Sequence, residues 1–190
     1  MKNIVLFGAP GCGKGTQAQR LKERYGIEHV STGEIIRSEI KQGTELGRSM
    51  EHYISTGQLA PDEVVINMIA NYVTAHKEAA GCIFDGFPRT TAQAEAFDRI
   101  LAQNGLHVDI MIDIHVPEEE LVRRILLRGK DSGRADDTSE EVIRGRLAVY
   151  HRQTAIVADF YRGQGKYAEV DGVGTMDEVF DRIAAIIDRI

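Results

Sequence analysis

Gly8-Ala9-Pro10-Gly11-Cys12-Gly13-Lys14-Gly15-Thr16 follows the apolar run Ile4-Val5-Leu6-Phe7 and leads into Gln17–Tyr25, a segment of helical character. Strand, glycine-rich turn, lysine, helix is the layout of a phosphate-binding loop. Glycines let the backbone curl and turn its N–H groups inward with no Cβ in the way. A helix N-terminus adds partial positive charge behind them, and Lys14 reaches toward β- and γ-phosphates. The common form of this loop places Ser or Thr directly after the lysine as a magnesium ligand. Here Gly15 stands there and Thr16 follows, so the loop reads as a triphosphate site with an altered metal arrangement.

Working outward, four more short runs read as strands besides Asn3–Phe7: Glu28–Ser31, Gly81–Phe84, Ile110–His115 and Tyr167–Val170. Helical patterns lie between them, and that alternation predicts an α/β fold, a five-stranded parallel sheet with helices on both faces. Three apolar stripes are assigned to the core: Val64, Val65, Met68, Ile69, Tyr72 and Val73; then Ile143, Leu147, Tyr150, Thr154, Val157 and Tyr161; then Met176, Val179, Phe180, Ile183, Ile186, Ile187 and Ile190. Pro117 before three glutamates reads as a helix start, and Arg128-Gly129 as its end. Two stretches interrupt the alternation. Residues 31–60 hold two short helical patterns, broken at Gln42-Gly43-Thr44 and Ser55-Thr56-Gly57, and residues 129–138 are polar and charged. Both read as excursions able to cover a site.

The length of 190 residues favours one domain. Apolar and charged fractions of 43% and 27% are those of an ordinary soluble protein, and a net charge of −6 argues against broad binding to nucleic acid or anionic membranes. Any basic site must be local. Cys12 and Cys82 have no metal-type spacing, and the six histidines are scattered. The run before Gly8 is too short for a signal peptide or membrane span. A cytoplasmic protein is expected.

Ser31-Thr32-Gly33-Glu34 reads as a helix cap, with Arg37 one turn on. Cys82-Ile83-Phe84-Asp85-Gly86-Phe87-Pro88-Arg89 is an apolar strand ending in a carboxylate, as expected for a residue that holds magnesium directly or through water. Gly86 and Pro88 shape a bend before Arg89. Gln93 follows one turn later, and its amide offers a donor beside an acceptor, matching an adenine edge. Arg128, Arg134, Arg144 and Arg146 flank the charged excursion and suit a lid closing on phosphates; Asp136 and Asp137 either brace them or are solvated turn residues. The guanine-reading Asn-Lys-x-Asp motif is missing.

Together these residues resemble the adenylate kinases of the short-lid type, over essentially the whole chain. The carriers are Gly8–Thr16, Ser31-Thr32-Gly33 with Arg37, Asp85-Gly86-Phe87-Pro88-Arg89-Thr90 with Gln93, and Arg128-Gly129 through Arg134-Ala135-Asp136-Asp137 to Arg146. Gly15-Thr16 is normal in that family. The resemblance implies a single phosphate-loop kinase domain with core 1–30, 61–127 and 138–190, a mobile AMP-binding flap 31–60 and a short lid 128–137. It implies that Gly11, Cys12, Gly13, Lys14, Gly15 and Thr16 hold ATP phosphates, with Arg128 and the Gly174 backbone also on ATP. Thr32, Arg37, Gln58, Leu59, Ala60, Gly86, Phe87, Pro88, Arg89 and Gln93 would hold AMP. Arg134 and Arg146 would bridge both substrates. The interval from Asp137 to Arg146 is one residue longer than the family pattern, which leaves Arg144 as a lesser candidate. Asp85 would hold magnesium through water, and no zinc is implied.

The implied reaction is MgATP plus AMP to two ADP. Its acceptor is already ionised, so positioning and charge neutralisation by Lys14, Arg89, Arg128, Arg134 and Arg146 suffice. A UMP/CMP kinase is the nearest alternative; Thr32 and Gln93 favour adenine. A nucleotide-dependent switch or binding module would need the loop but not the arginines of a second nucleotide. The expected partners are ATP and AMP or ADP, without nucleic acid or membrane, and a monomer is expected.

Overall fold

The computed structural model describes residues 2–190. Five parallel strands, β1 (Lys2–Phe7), β2 (Glu28–Ser31), β3 (Gly81–Asp85), β4 (Ile110–His115) and β5 (Tyr167–Asp171), form one sheet in the order β2-β3-β1-β4-β5. The helices are α1 (Lys14–Tyr25), α2 (Thr32–Gln42), α3 (Glu45–Ser55), α4 (Asp62–Ala75), α5 (Thr91–Gln103), α6 (Glu118–Ser132), α7 (Glu140–Val149), α8 (Val157–Gly163) and α9 (Met176–Ile187). The α/β fold expected from the alternating pattern is the one observed.

Strand alternation divides the core in two. Along β1, Ile4 and Leu6 point to one face and pack with Leu21 of α1, Ile125 of α6 and Ile183 of α9. Val5 and Phe7 point to the other and pack with Ile69 of α4, Phe97 of α5 and Tyr161 of α8. A parallel sheet buried on both faces needs this near-continuous apolar strand. Local signals start the helices: the side chains of Ser31, Thr44, Thr90 and Thr175 each accept a backbone N–H in the first turn, and Thr175 with Glu178 completes a capping box.

Tertiary packing altered three readings. The helix after Pro117 does not stop at Gly129 but runs to Ser132, where left-handed Gly133 (φ 62°) ends it. Gly129 is instead a point of close approach, because a Cβ there would collide with the Asp137 carbonyl. The stripe from Ile143 to Tyr161 serves two cores rather than one. Ile143 and Leu147 join the α1/α6/α9 side, Val157 and Tyr161 the opposite side, and half-buried Tyr150 touches both. A π turn over Tyr150–Thr154, closed by Ala155 N–H to the Tyr150 carbonyl at 2.9 Å, carries the chain across. Finally, Met176 and Ile190 lie at the two ends of the third stripe and are 64% and 46% exposed, so they are not core.

Ile183→Ala is expected to lower stability by about 2–5 kcal/mol through an unfilled cavity. Met176→Ala should stay within about 0.5 kcal/mol of the parent. Urea denaturation of the two variants checks both.

Candidate functional site

A cleft of about 420 Å³ opens at the carboxyl ends of β1 and β3, where open parallel sheets bind ligands. Register explains the placement. Leu6 pairs with Asp85, and Ser31 pairs with Asp85 from the other side. The glycine-rich loop, the Asp85 carboxylate and the start of α2 therefore emerge side by side.

The loop holds its shape through positive φ angles at Gly8 (132°), Gly11 (87°) and Gly13 (104°), the last serving as the N-cap of α1. Gly8 and Gly11 also permit close packing. A Cβ would stand 2.7 Å from the Ile114 carbonyl oxygen in the first case and 2.7 Å from Ile125 Cγ1 in the second. The Lys14 ammonium donates to the Gly8 and Ala9 carbonyl oxygens at 2.7 and 3.1 Å, which steadies it at the cleft mouth. Cys12 lies beneath it: its side chain is buried against the core, its Sγ accepts from the Lys14 ammonium at 3.5 Å, and its N–H donates to the Ala9 carbonyl at 3.2 Å.

Asp85 Oδ2 lies 3.6 Å from His29 Nε2. Burial would raise this carboxyl, but the neighbouring His29 ring and the charges of Lys14 and Arg89 hold it below its ordinary value. A Cβ at Gly15 would stand 3.7 Å from Oδ2, an ordinary van der Waals contact, which places the residue after the lysine directly beside this carboxylate.

The opposite wall is built from arginines. Arg89 Nε donates to the Gly86 carbonyl at 2.7 Å, which also accepts from Thr32 Oγ1 at 2.9 Å. Gly86 (φ 76°) and the cis Phe87–Pro88 bond form the bend, with Phe87 buried against Phe97. Arg37 folds back over Gly33, its Nη1 only 3.2 Å from where a Cβ would be. Burial, with the Arg134 charge, lowers Arg37 to about 10. Burial and Arg146 likewise lower Arg89. A guanidinium stays charged in proteins, and the mutual repulsion of these two is relieved by any anion that enters.

Behind them lies the brace. Asp137, with no exposed side-chain surface, receives Arg128 through two bonds of 2.7 and 3.0 Å and Arg146 at 2.8 Å. Asp136 adds a 3.0 Å contact to Arg146. Of the two readings of this acidic pair, bracing is the one observed. The Arg146 stem presses against Gly57, which joins the α3 end of residues 31–60 to α7. Arg144 points away, paired with Glu140 at 2.9 Å and Glu119 at 3.3 Å.

Most of the expected residues meet here. Gly11, Gly13, Lys14, Gly15, Thr16, Arg37, Leu59, Asp85 to Arg89, Arg128, Arg134 and Arg146 line the cleft. Thr32, Gln58, Ala60 and Gln93 line a small adjoining pocket with Leu59 and Arg89. Cys12 and Gly174 line neither; Gly174 sits in the exposed turn before α9, beside Glu178. Sequence reasoning missed Glu34, Val149, Tyr150 and Thr154, which also line the cleft. Tyr150 and Thr154 belong to the stripe assigned to the core, and nothing in it marks the π turn that also carries them to the cleft wall. His29 was read as scattered, although strand alternation puts it on the same face of β2 as Ser31, next to Asp85. Among the described residues, no three His, Cys, Asp or Glu side chains are grouped to hold a metal ion. No helix of the described residues is long and apolar enough to cross a membrane.

Fold and cleft together define a phosphate-loop protein whose loop faces a wall of arginines across one cleft. The family model described as adenylate kinase matches residues 6–166. Curated relatives named adenylate kinase are 54% identical in Phocaeicola vulgatus and 53% identical in Bacteroides thetaiotaomicron, in each case over 190 residues and the full length of both chains. A third, from Flavobacterium johnsoniae, is 46% identical over the same full span. The chain belongs to the adenylate kinase family.

Asp137→Asn should destabilise the protein by about 1.5–3 kcal/mol at neutral pH, the range for hydrogen bonds to charged groups. The Arg128 and Arg146 contacts outweigh burial and depress the Asp137 pKa from 3.8. Its stabilisation is therefore present above that value and lost as pH falls through the lower folded-state pKa. Urea denaturation against pH should show the variant's deficit shrinking in acid.

Proposed function

We propose that this chain reversibly transfers the terminal phosphoryl group of MgATP to AMP, giving two ADP. The observation that carries the reading is the pairing of a phosphate loop with a second set of arginines across one cleft, in a chain of the adenylate kinase family. A switch or simple binding module would have no use for the second set.

In this reading Gly11–Thr16 cradle the ATP phosphates, and Lys14 neutralises the charge that builds on the transferred group. Arg128 contacts ATP. Arg37 and Arg89 hold the AMP phosphate, and Thr32, the Gln58–Ala60 segment and Gln93 hold its base. Arg134 and Arg146 lie between the two substrates. The attacking AMP oxygen is already ionised, so no general base is required; the residues bind, align and neutralise. Adenylate kinases use magnesium with ATP. The depressed, buried carboxylate of Asp85 beside the loop, with Thr16 near it, fits the outer coordination of such an ion. Magnesium would supply further charge neutralisation at the phosphates.

Residues 31–60 would act as an AMP-binding flap and residues 128–137 as a lid, both closing to exclude water. The packing of α3 against the short turn Ala135–Asp137 supports their meeting over bound substrates. One chain carries both nucleotide sites, so a monomer suffices. The unpaired cysteines go with a reducing cytoplasm, and the net charge of −6 speaks against nucleic-acid and membrane partners.

With MgATP as donor, AMP should be phosphorylated far faster than CMP, UMP or GMP. A pyrimidine preference would replace this reading with the UMP/CMP kinase. Arg89→Ala should lower kcat on the order of 100- to 1,000-fold, by analogy with removal of an oxyanion donor. Near-normal turnover would remove Arg89 from its role.

A further inference from the structure

Gln93 is 1% exposed and its amide is held from two sides. Its Oε1 accepts the Arg89 backbone N–H at 2.8 Å, and its Nε2 donates to Asp62 Oδ1 at 2.8 Å. Asp62 is held in turn by the Thr90 hydroxyl, 3.1 Å from each of its oxygens. Thr90 Oγ1 also accepts the Gln93 backbone N–H at 3.2 Å. The ring of contacts spans the starts of α4 and α5, 31 residues apart at Asp62 and Gln93.

A glutamine amide has nearly the same shape in either orientation. Here the two are not equal in energy. Turning it over would set Oε1 against the Asp62 carboxylate and Nε2 against an N–H, two repulsive pairings in a buried site. In the observed orientation Nε2 keeps one hydrogen and Oε1 one lone pair for the pocket that Gln93 lines. That order suits a purine edge with an amino donor beside a ring-nitrogen acceptor. It mismatches an edge with a carbonyl oxygen beside a ring N–H.

We propose that Asp62 is a specificity-determining positioning residue: it fixes the orientation of the Gln93 amide, and so makes the acceptor pocket select a 6-amino over a 6-oxo purine monophosphate. This rests on the reading of that pocket as the AMP base site. Asp62 also opens α4, and a purely structural role would affect all acceptors alike.

The test is steady-state kinetics at saturating MgATP with AMP and with inosine monophosphate, whose base carries the carbonyl and ring N–H. The enzymes are the parent, Asp62→Ala, Asp62→Ser, Asp62→Asn, Gln93→Ala and the Asp62→Ala/Gln93→Ala double variant. Serine is too short to reach Nε2 but still suits a helix start, so it covers the case of an unfolded alanine variant. In Asp62→Ala and Asp62→Ser the AMP-over-inosine-monophosphate ratio of kcat/KM should fall about tenfold, the net worth of one hydrogen bond. The change should sit in the acceptor KM, with the ATP KM unmoved. Asp62→Asn, which keeps an oxygen for Nε2, should recover most of the ratio, and the double variant should match Gln93→Ala. Equal losses for both acceptors, or additive effects in the double variant, would overturn the role of Asp62 while leaving the site reading intact. A Gln93→Ala enzyme that still discriminates would instead overturn the base-site reading, and this proposal with it.

Discussion

The parallel pairing of β1 with β3 is the constraint on which the site depends. It sets Leu6 opposite Asp85, so the end of the phosphate loop strand and the end of the carboxylate strand reach the same level of the sheet. β1 and β3 are apolar on both sides because helices cover both faces, and burial of those two faces fixes the register. A slip of one residue would turn Asp85 to the opposite face and remove it from the loop. Everything in the cleft is hung from those few strand ends.

Electrostatics then divides the cleft into tasks. The protein is acidic overall, yet Lys14, Arg37, Arg89, Arg128, Arg134 and Arg146 face one cavity. Burying these cations and gathering them together costs energy, visible as the lowered values of Arg37 and Arg89. Buried carboxylates offset part of it. Asp137 and Asp136 hold Arg128 and Arg146, while Asp85 faces the loop. Arg37 and Arg89 keep unsatisfied charge, which is what an entering phosphate would relieve. The braced and unbraced arginines thus differ in what they ask of a ligand.

Much of this was legible in the chain. The loop Gly8–Thr16 announces itself because positive φ and a lysine at fixed spacing need particular residues. Strand ends such as Asp85 and caps such as Ser31 and Thr90 are local signals as well. Reading failed where long-range packing decides. Gly129 resembled a helix stop, but it is glycine because the Asp137 backbone passes close by. Tyr150 and Thr154 kept the spacing of a core stripe while a π turn brought them to the cleft. Met176 and Ile190 kept the stripe's spacing but lay beyond the reach of the sheet. Cys12 sits in the loop sequence but faces the core.

The sequence by itself determined the α/β class, the phosphate loop and the residue types of a two-nucleotide site, because each depends on local backbone geometry or periodic burial. Only the tertiary structure decided which arginines share a cavity. Arg144 and Arg146 stand two positions apart on one helix, and their side chains take opposite directions, one to surface glutamates and one to buried Asp137. The same holds for Asp62, whose partnership with Gln93 exists only because α4 and α5 start side by side. Periodicity tells which face of a helix is buried, whereas a contact between distant residues is set by how the faces meet.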